Sequence, residues 1–326
     1  MRAGIVGLGS YLPEKRLTNH ELEKMVDTTD EWIRTRTGIE ERRLVGPDEQ
    51  TSDLGAHAGK MALKAAGLEP GDIDLVIVAT SSPEMVFPST ACITQAKIGL
   101  AGCPAFDVAA ACSSFIYGLV VADSLVSGGS YQNVLLIGAD ALTRHVDWED
   151  RNTCVLFGDG AGAAVLRPVE DGFGVLSSYL AADGSGADLL KIPAGGSRHP
   201  GSIESVKGRQ HTVSMNGNEV FRFAARVMPQ AVEKVTRDAG ITLEQVKYIV
   251  PHQANQRIIE AAGRALKVGE EKIFSNIRML GNTSAASIPL ALDDLIRAGQ
   301  IGRGDYIVLV GFGAGLTWGA TLIRWS

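Results

Sequence analysis

An α/β fold written twice along one chain is what this sequence predicts, on two observations. The chain repeats itself at an offset of 173 residues, and within each copy short apolar runs alternate with segments of helical length. Lys64-Ala65-Ala66-Gly67-Leu68 stands 173 positions before Arg237-Asp238-Ala239-Gly240-Ile241. Leu75-Val76-Ile77-Val78 precedes Tyr248-Ile249-Val250-Pro251 by the same interval, and Val134-Leu135-Leu136-Ile137-Gly138 precedes Ile307-Val308-Leu309-Val310-Gly311. Residues 64–140 therefore align onto 237–313 without a gap. With a gap, Gly162–Arg167 resembles Gly319–Arg324. Any one match could be chance; several in order at one offset are hard to dismiss. The duplication divides the chain into an N-terminal half, 1–170, and a C-terminal half, 171–326.

Each half follows the same plan. A helix (Thr51–Ala66; Phe221–Ala239) ends at a glycine, and a buried strand follows (Asp74–Thr80; Lys247–Pro251). A long helix comes next (Cys112–Val126; Ala285–Ala298), then another strand (Asn133–Gly138; Tyr306–Gly311). Strands apolar at nearly every position belong to a sheet covered on both faces. Residues 184–212 are rich in Gly, Ser and charge and lack periodicity, which predicts a loop excursion capping the site.

Composition excludes several classes of function. The chain has 326 residues, 45% of them hydrophobic, enough for a large core. A net charge of -6 argues against a nucleic-acid binder. No apolar run approaches the ~20 residues that span a bilayer, so no membrane association is expected. Met1–Gly7 reads as a first strand rather than a secretory signal. Four cysteines, with no Cys-x-x-Cys pair, make neither a disulfide framework nor a zinc site. A cytoplasmic protein with reduced thiols and no metal is expected.

Three residues stand out chemically. Cys112 follows the small residues Ala109–Ala111 and opens an apolar helix, where unpaired N–H groups and the positive dipole end favour thiolate. Taken alone it fits a buried small hydrophobe equally well. His252 ends a buried strand, where α/β proteins build sites; a structural histidine is the other reading. Asn282 precedes a helix and could simply cap it. The repeat joins them. Cys112 corresponds to Ala285, three residues after Asn282, and His252 corresponds to Ala79. If the halves pack about a pseudo-twofold axis, all three turns face one another. Gly7-Leu8-Gly9 lacks the third glycine of a dinucleotide loop. In Gly311-Phe312-Gly313-Ala314-Gly315, tight packing and a backbone N–H aimed at an oxyanion are both open.

At this point the residues resemble a known family. The chain is similar over essentially its whole length to the β-ketoacyl-acyl carrier protein synthases III, condensing enzymes of the thiolase superfamily. The resemblance rests on Asp107–Cys112, Val250–Asn255, Gly281–Ser287, Met215–Phe221 and Gly311–Gly319. It implies a duplicated five-layered α/β/α/β/α sandwich forming a homodimer. It also implies a decarboxylative condensation of an acyl-CoA primer, acetyl-CoA above all, with malonyl-acyl carrier protein, giving 3-ketoacyl-acyl carrier protein and initiating fatty acid synthesis. No metal or redox cofactor takes part.

Carried over by position, Cys112 is the nucleophile, with His252 and Asn282 completing a triad. The backbone N–H groups of Cys112 and Ala314 match the oxyanion hole. Trp32 and Arg151 match residues that sandwich adenine, and Arg36 matches a phosphate contact. Gly217, Asn218, Phe221, Ala254 and Arg257 match the pantetheine tunnel. Leu142, Phe157, Leu190 and Met215 match the acyl-pocket lining, and Phe87 the residue that enters the partner subunit's pocket. Arg222, Arg257 and Arg264 form the expected patch for the acidic carrier protein. The family often has Ala-Gly after the nucleophile; here Ser113-Ser114 follows it. A degradative thiolase needs a second cysteine near the C-terminal glycine turn, and none follows Cys154. Elongating synthases use two histidines where this chain has His252 and Asn282. A starter-unit enzyme of quinolone or polyketide synthesis is the alternative reading; a non-catalytic carrier-binding subunit is opposed by the intact Cys-His-Asn set.

Overall fold

The computed structural model describes residues 1–326. Two sheets form its frame. The first holds β1 (Arg2–Tyr11), β2 (Leu75–Ala79), β3 (Ala105–Val108), β4 (Val134–Asp140) and β5 (Gly160–Val169), in the order β1-β5-β4-β2-β3. The second holds β6 (Gly174–Ala182), β7 (Val246–Pro251), β8 (Tyr306–Gly313) and β9 (Thr317–Arg324), in the order β7-β8-β9-β6. β2–β4 and β7–β8 are parallel pairs, each followed by two antiparallel pairings. Even the register repeats: Gly138 pairs with Gly162, and Gly311 with Gly319. These are the positions that the gapped alignment equates.

The apolar strands earn both their faces. The principal helices are α1 (Thr51–Ala66), α2 (Thr90–Ile98), α3 (Ser114–Ser127), α4 (Gly217–Asp238), α5 (Gln256–Leu266) and α6 (Ser287–Arg297). Successive strand side chains point to opposite faces. Val76, Val78, Leu135 and Ile137 pack outward against Leu54, Ala58 and Ala62 of α1 and Ala91 and Ile98 of α2. Ile77 and Leu136 point inward to α3, and Ile307 and Leu309 reach the same central layer from the second sheet. Val308 and Val310 face outward to α4 and α5. Helices α3 and α6 fill the middle through Phe115, Ile116, Leu119, Ile288, Leu292 and Leu295. Each such buried side chain contributes about 1.5–3 kcal/mol. The result is a five-layered α/β/α/β/α sandwich. No helix is long and apolar enough to cross a membrane.

The structure differs from the sequence reading in three places. The counterpart of β3 is a helical turn, Ile277–Leu280, so the second sheet has one strand fewer. Residues 184–212 carry short elements: a 3-10 segment Gly184–Leu189, a strand Leu190–Lys191 paired with Ser214–Met215, and a helix Ile203–Lys207. The central helices start later than their patterns suggest. Ala111–Ser113 is a 3-10 turn ahead of α3, and Ser284–Ala286 is the same turn ahead of α6. Ala111 has φ 47° and its repeat partner Ser284 has φ 50°. A non-glycine residue there costs on the order of 1–3 kcal/mol, so the surrounding packing holds both turns in place.

That packing is visible at the glycines. A Cβ on Gly138 would run into the carbonyl oxygen of Ala285. In the other half, a Cβ on Gly311 would sit 3.5 Å from Cα of Ser113. Each sheet thus offers a bare glycine to the turn supplied by the other half. Gly138→Ala leaves φ and ψ permissible but wedges a methyl between the halves, and should lower stability by about 1–3 kcal/mol, measured by denaturant unfolding.

Candidate active site

Cys112 is nearly buried, at 7% exposure, in the 3-10 turn ahead of α3. The Ser284 hydroxyl donates to its Sγ at 3.3 Å, and Ser81 Oγ lies 3.0 Å from Ser284 Oγ. Below them Asp140 is completely buried. Its carboxylate accepts the N–H of Ala285 (2.9 Å) and those of Ser81 (2.7 Å) and Ser82 (2.8 Å), with the hydroxyls of Thr80 and Ser82. Burial pushes the Cys112 thiol up to about 12; the Asp140 charge adds to this and the Ser284 hydroxyl opposes it. The helix start suggests a thiolate, and here desolvation overrides it. Ser113 and Ser114 spend their hydroxyls inside the turn. Ser113 Oγ donates to Ala110 O at 2.7 Å and lies 2.9 Å from Thr317 Oγ1, and Ser114 Oγ accepts the Ala110 N–H at 2.7 Å.

His252 and Asn282 come from the second half. His252 follows β7, and its N–H donates to Val310 O at 2.8 Å. The ring is buried and Nδ1 stands 2.7 Å from Ser287 Oγ, with Phe312 edge-on at 5.2 Å. Burial lowers its pKa to about 3, so the imidazole is neutral. Asn282 does not cap α6, which begins at Ser287. Its backbone is pinned to the segment carrying Phe157: its N–H donates to Leu156 O and its carbonyl accepts from Gly158. Its Oδ1 accepts the Ser284 N–H at 2.9 Å, which leaves the amide NH2 as a donor.

Two cavities meet at Cys112. The larger, of 1090 Å³, is lined by Cys112, His252 and Asn282 together. Its wall also contains Trp32, Arg36, Gly217, Asn218, Phe221, Ala254 and Arg257. The excursion expected to cap the site does so, through Pro193 and Gly208–Gln210. The smaller cavity, of 610 Å³, lies beyond Cys112 and is lined by Leu142, Phe157, Leu190, Val86, Ser284 and Ala314 among others. Met215, grouped with that lining in the sequence reading, faces the larger cavity instead. Arg151 lies outside both linings, with its guanidinium 5.2 Å from the Trp32 ring; Arg36 is 4.9 Å from the same ring. Phe87 is 82% exposed and lines neither cavity. Arg257 sits over Phe221 at 5.7 Å, whereas Arg222 and Arg264 pair with Glu219 and Glu260 of their own helices. The glycine turn closes in on the nucleophile: a Cβ on Gly313 would stand 2.7 Å from the Cys112 backbone nitrogen.

A family model described as 3-oxoacyl-[acyl-carrier-protein] synthase III matches residues 106–184, and its C-terminal counterpart matches 236–325. A β-ketoacyl-[acyl-carrier-protein] synthase III of Caldanaerobacter subterraneus is 56% identical over 99% of this chain and 98% of the relative. The chain belongs to this family. A synthase III of Clostridioides difficile is 50% identical, covering 100% of this chain and 99% of its own. The crystal structure of the Aquifex aeolicus synthase III superposes with a TM-score of 0.92 at 47% identity, covering 99% of this chain and all of the other. This chain therefore has the thiolase-like fold of the synthases III and is a condensing acyltransferase.

Sequence reading missed the polar support of this synthase III site: Ser81, Asp140, Ser284 and Ser287. The two serines from the second half lie inside the Gly281–Ser287 motif, yet nothing local says which atoms they reach. Asp140 had a signal, as an acid ending an otherwise apolar strand. Because the resting thiol is neutral below about 12, its thiolate fraction grows about tenfold per pH unit across the neutral range. Alkylation of Cys112 by iodoacetamide, followed by peptide mass spectrometry from pH 7 to 10, should accelerate throughout without a plateau.

Proposed function

We propose that this synthase III transfers an acyl group, acetyl above all, from CoA to Cys112 and condenses it with malonyl-acyl carrier protein, initiating fatty acid synthesis. The carrying observation is that Cys112, His252 and Asn282 share one cavity while a second cavity, largely apolar, opens behind the sulfur. In the first half-reaction, sulfur attacks the thioester carbonyl; the thiol proton leaves with CoA as its new thiol. The N–H groups of Cys112 and Ala314 receive the oxyanion, their backbones held close by the bare Gly313. In the second, malonyl thioester loses CO2. Its enolate oxygen is met by a neutral imidazole and the Asn282 amide, donors that need no proton transfer. The carbanion attacks the acyl-Cys112 carbonyl, the C–S bond breaks, and one proton returns the thiol. Neither step as written requires a metal or cofactor.

The remaining roles follow the placement of the residues. Trp32, Arg36 and Arg151 bind the nucleotide end of CoA, with Arg151 moving off Trp32 to admit adenine between them. Gly217, Asn218, Phe221, Ala254 and Arg257 form the pantetheine channel, and Met215 joins that wall. Leu142, Phe157 and Leu190 face the acyl chain. Phe87, exposed beside the equally exposed Val86, docks into a second copy, giving a homodimer. Arg257 leads the carrier-protein patch, supported by Arg222 and Arg264. The halves 1–170 and 171–326 are the two copies of the duplication, and the enzyme works in the cytoplasm.

Acetyl-CoA should place one acetyl group on Cys112. Asn282→Ala should keep that acylation and lose ~100–1000-fold in CO2 release from malonyl-acyl carrier protein, the usual cost of one such donor. Wild-type decarboxylation in that variant, read as labelled CO2, would remove Asn282 from the chemistry. Arg257→Glu should raise KM for malonyl-acyl carrier protein, and added salt should weaken the wild type likewise; steady-state kinetics at two ionic strengths check both.

A further inference from the structure

We propose that Ser287 is a positioning residue that fixes the tautomer of His252, holding its ring proton on Nε2, where it faces the larger cavity. This rests on the donor role given to His252 above, and deepens it. A neutral imidazole carries one N–H, and which nitrogen holds it is set by the partner of the other. His252 is neutral, and burial is the cause. Its Nδ1 lies 2.7 Å from Ser287 Oγ. The second polar neighbour of that hydroxyl is the Gln253 backbone N–H, at 3.4 Å. An amide N–H only donates, so it occupies a lone pair of Oγ and takes no hydrogen from it. The hydroxyl has no other acceptor within hydrogen-bond reach, so its hydrogen is directed to Nδ1, the acceptor of the pair. Nδ1 is left without a proton, and Nε2 carries it.

The arrangement is rigid. Ser287 is the first residue of α6 and 1% exposed, and the His252 ring is 1% exposed. Gln253 is itself tied, its side chain donating to Pro251 O and accepting from Asn276 N–H. The same turn holds Asn282 by its Oδ1, through Ser284 N–H. Two serines three residues apart thus orient the two donors in the same sense, each occupying the acceptor atom and leaving the N–H for substrate. An Nε2 that already bears a proton has no lone pair for the Cys112 proton. His252 therefore serves the enolate and is not the base for acylation.

The test is direct. In protein labelled with 15N-histidine, the His252 resonances, assigned by their loss in His252→Gln, should show a protonated Nε2 and a bare Nδ1. A proton on Nδ1 overturns the inference whatever the kinetics do. Ser287→Ala should broaden or shift these signals towards the other tautomer. It should leave acetylation of Cys112 within about twofold and slow CO2 release about 10–100-fold, the scale of loss when the hydrogen-bond partner that orients a metal-ligating histidine is removed. Ser287→Thr, which keeps the hydroxyl, should recover most of the rate. Equal losses in acylation and CO2 release for Ser287→Ala, or no recovery with threonine, would count against it. A wild-type enzyme that releases no CO2 from malonyl-acyl carrier protein defeats the proposed reaction and leaves the tautomer result standing.

Discussion

The site depends on how closely the two halves approach each other. Each sheet ends in a glycine that admits a 3-10 turn from the opposite half, Gly138 beneath Ala285 and Gly311 beneath Ser113. A side chain at Gly138 would push the Ala285 turn away and part the central helices, whereas one at Gly311 would press first on Ile288 and Ile116 of those helices. The contact also holds Ala111 and Ser284 at positive φ, a conformation that neither residue prefers. The strain is thus sustained by the core that α3 and α6 share, the largest buried apolar cluster of the molecule. Cys112 and the pair His252 and Asn282 lie far apart in the chain yet meet beside this shared core.

Polarity in this region is fully committed. Asp140 sits where no solvent reaches, and burial raises its pKa, yet five donors surround it. One of those donors is Ala285, the repeat partner of Cys112. A buried carboxylate left without such partners would be costly. Satisfied, it ties the β4 end to the Ser284 turn and so places the hydroxyl that touches the sulfur. Its charge adds a little to the burial that holds the resting Cys112 thiol protonated.

Much of this was legible in the chain. The helix Thr51–Ala66 has the bounds that its pattern and Gly67 indicate, because a strongly periodic segment with a glycine stop leaves little freedom. The 173-residue offset is carried by inward-facing and outward-facing strand positions and survives into the strand register. The facing of Cys112, His252 and Asn282 follows from the same offset. Legibility fails where equal spacing hides unequal structure. Ala105-Phe106-Asp107-Val108 forms a strand, whereas Ile277-Arg278-Met279-Leu280, rich in helix formers and ended by Gly281 at φ 65°, forms a turn of helix. It fails again at Ser284 and Ser287, whose partners lie 172 and 35 residues away. Nor could a helix start reveal that burial would govern the sulfur.

The paired turns bear on stoichiometry. A duplicated chain could in principle have retained two reaction centres, one per copy. Here the turn that mirrors Cys112 offers Ala285, 1% exposed, with its N–H given to Asp140 and its carbonyl pressed on Gly138. No thioester could reach it. Both halves line the cavity that Cys112, His252 and Asn282 share, and Ala285 lines neither of the two cavities that meet at Cys112. One half brings Cys112 to that cavity and the other brings His252 and Asn282, so each polypeptide holds one such site.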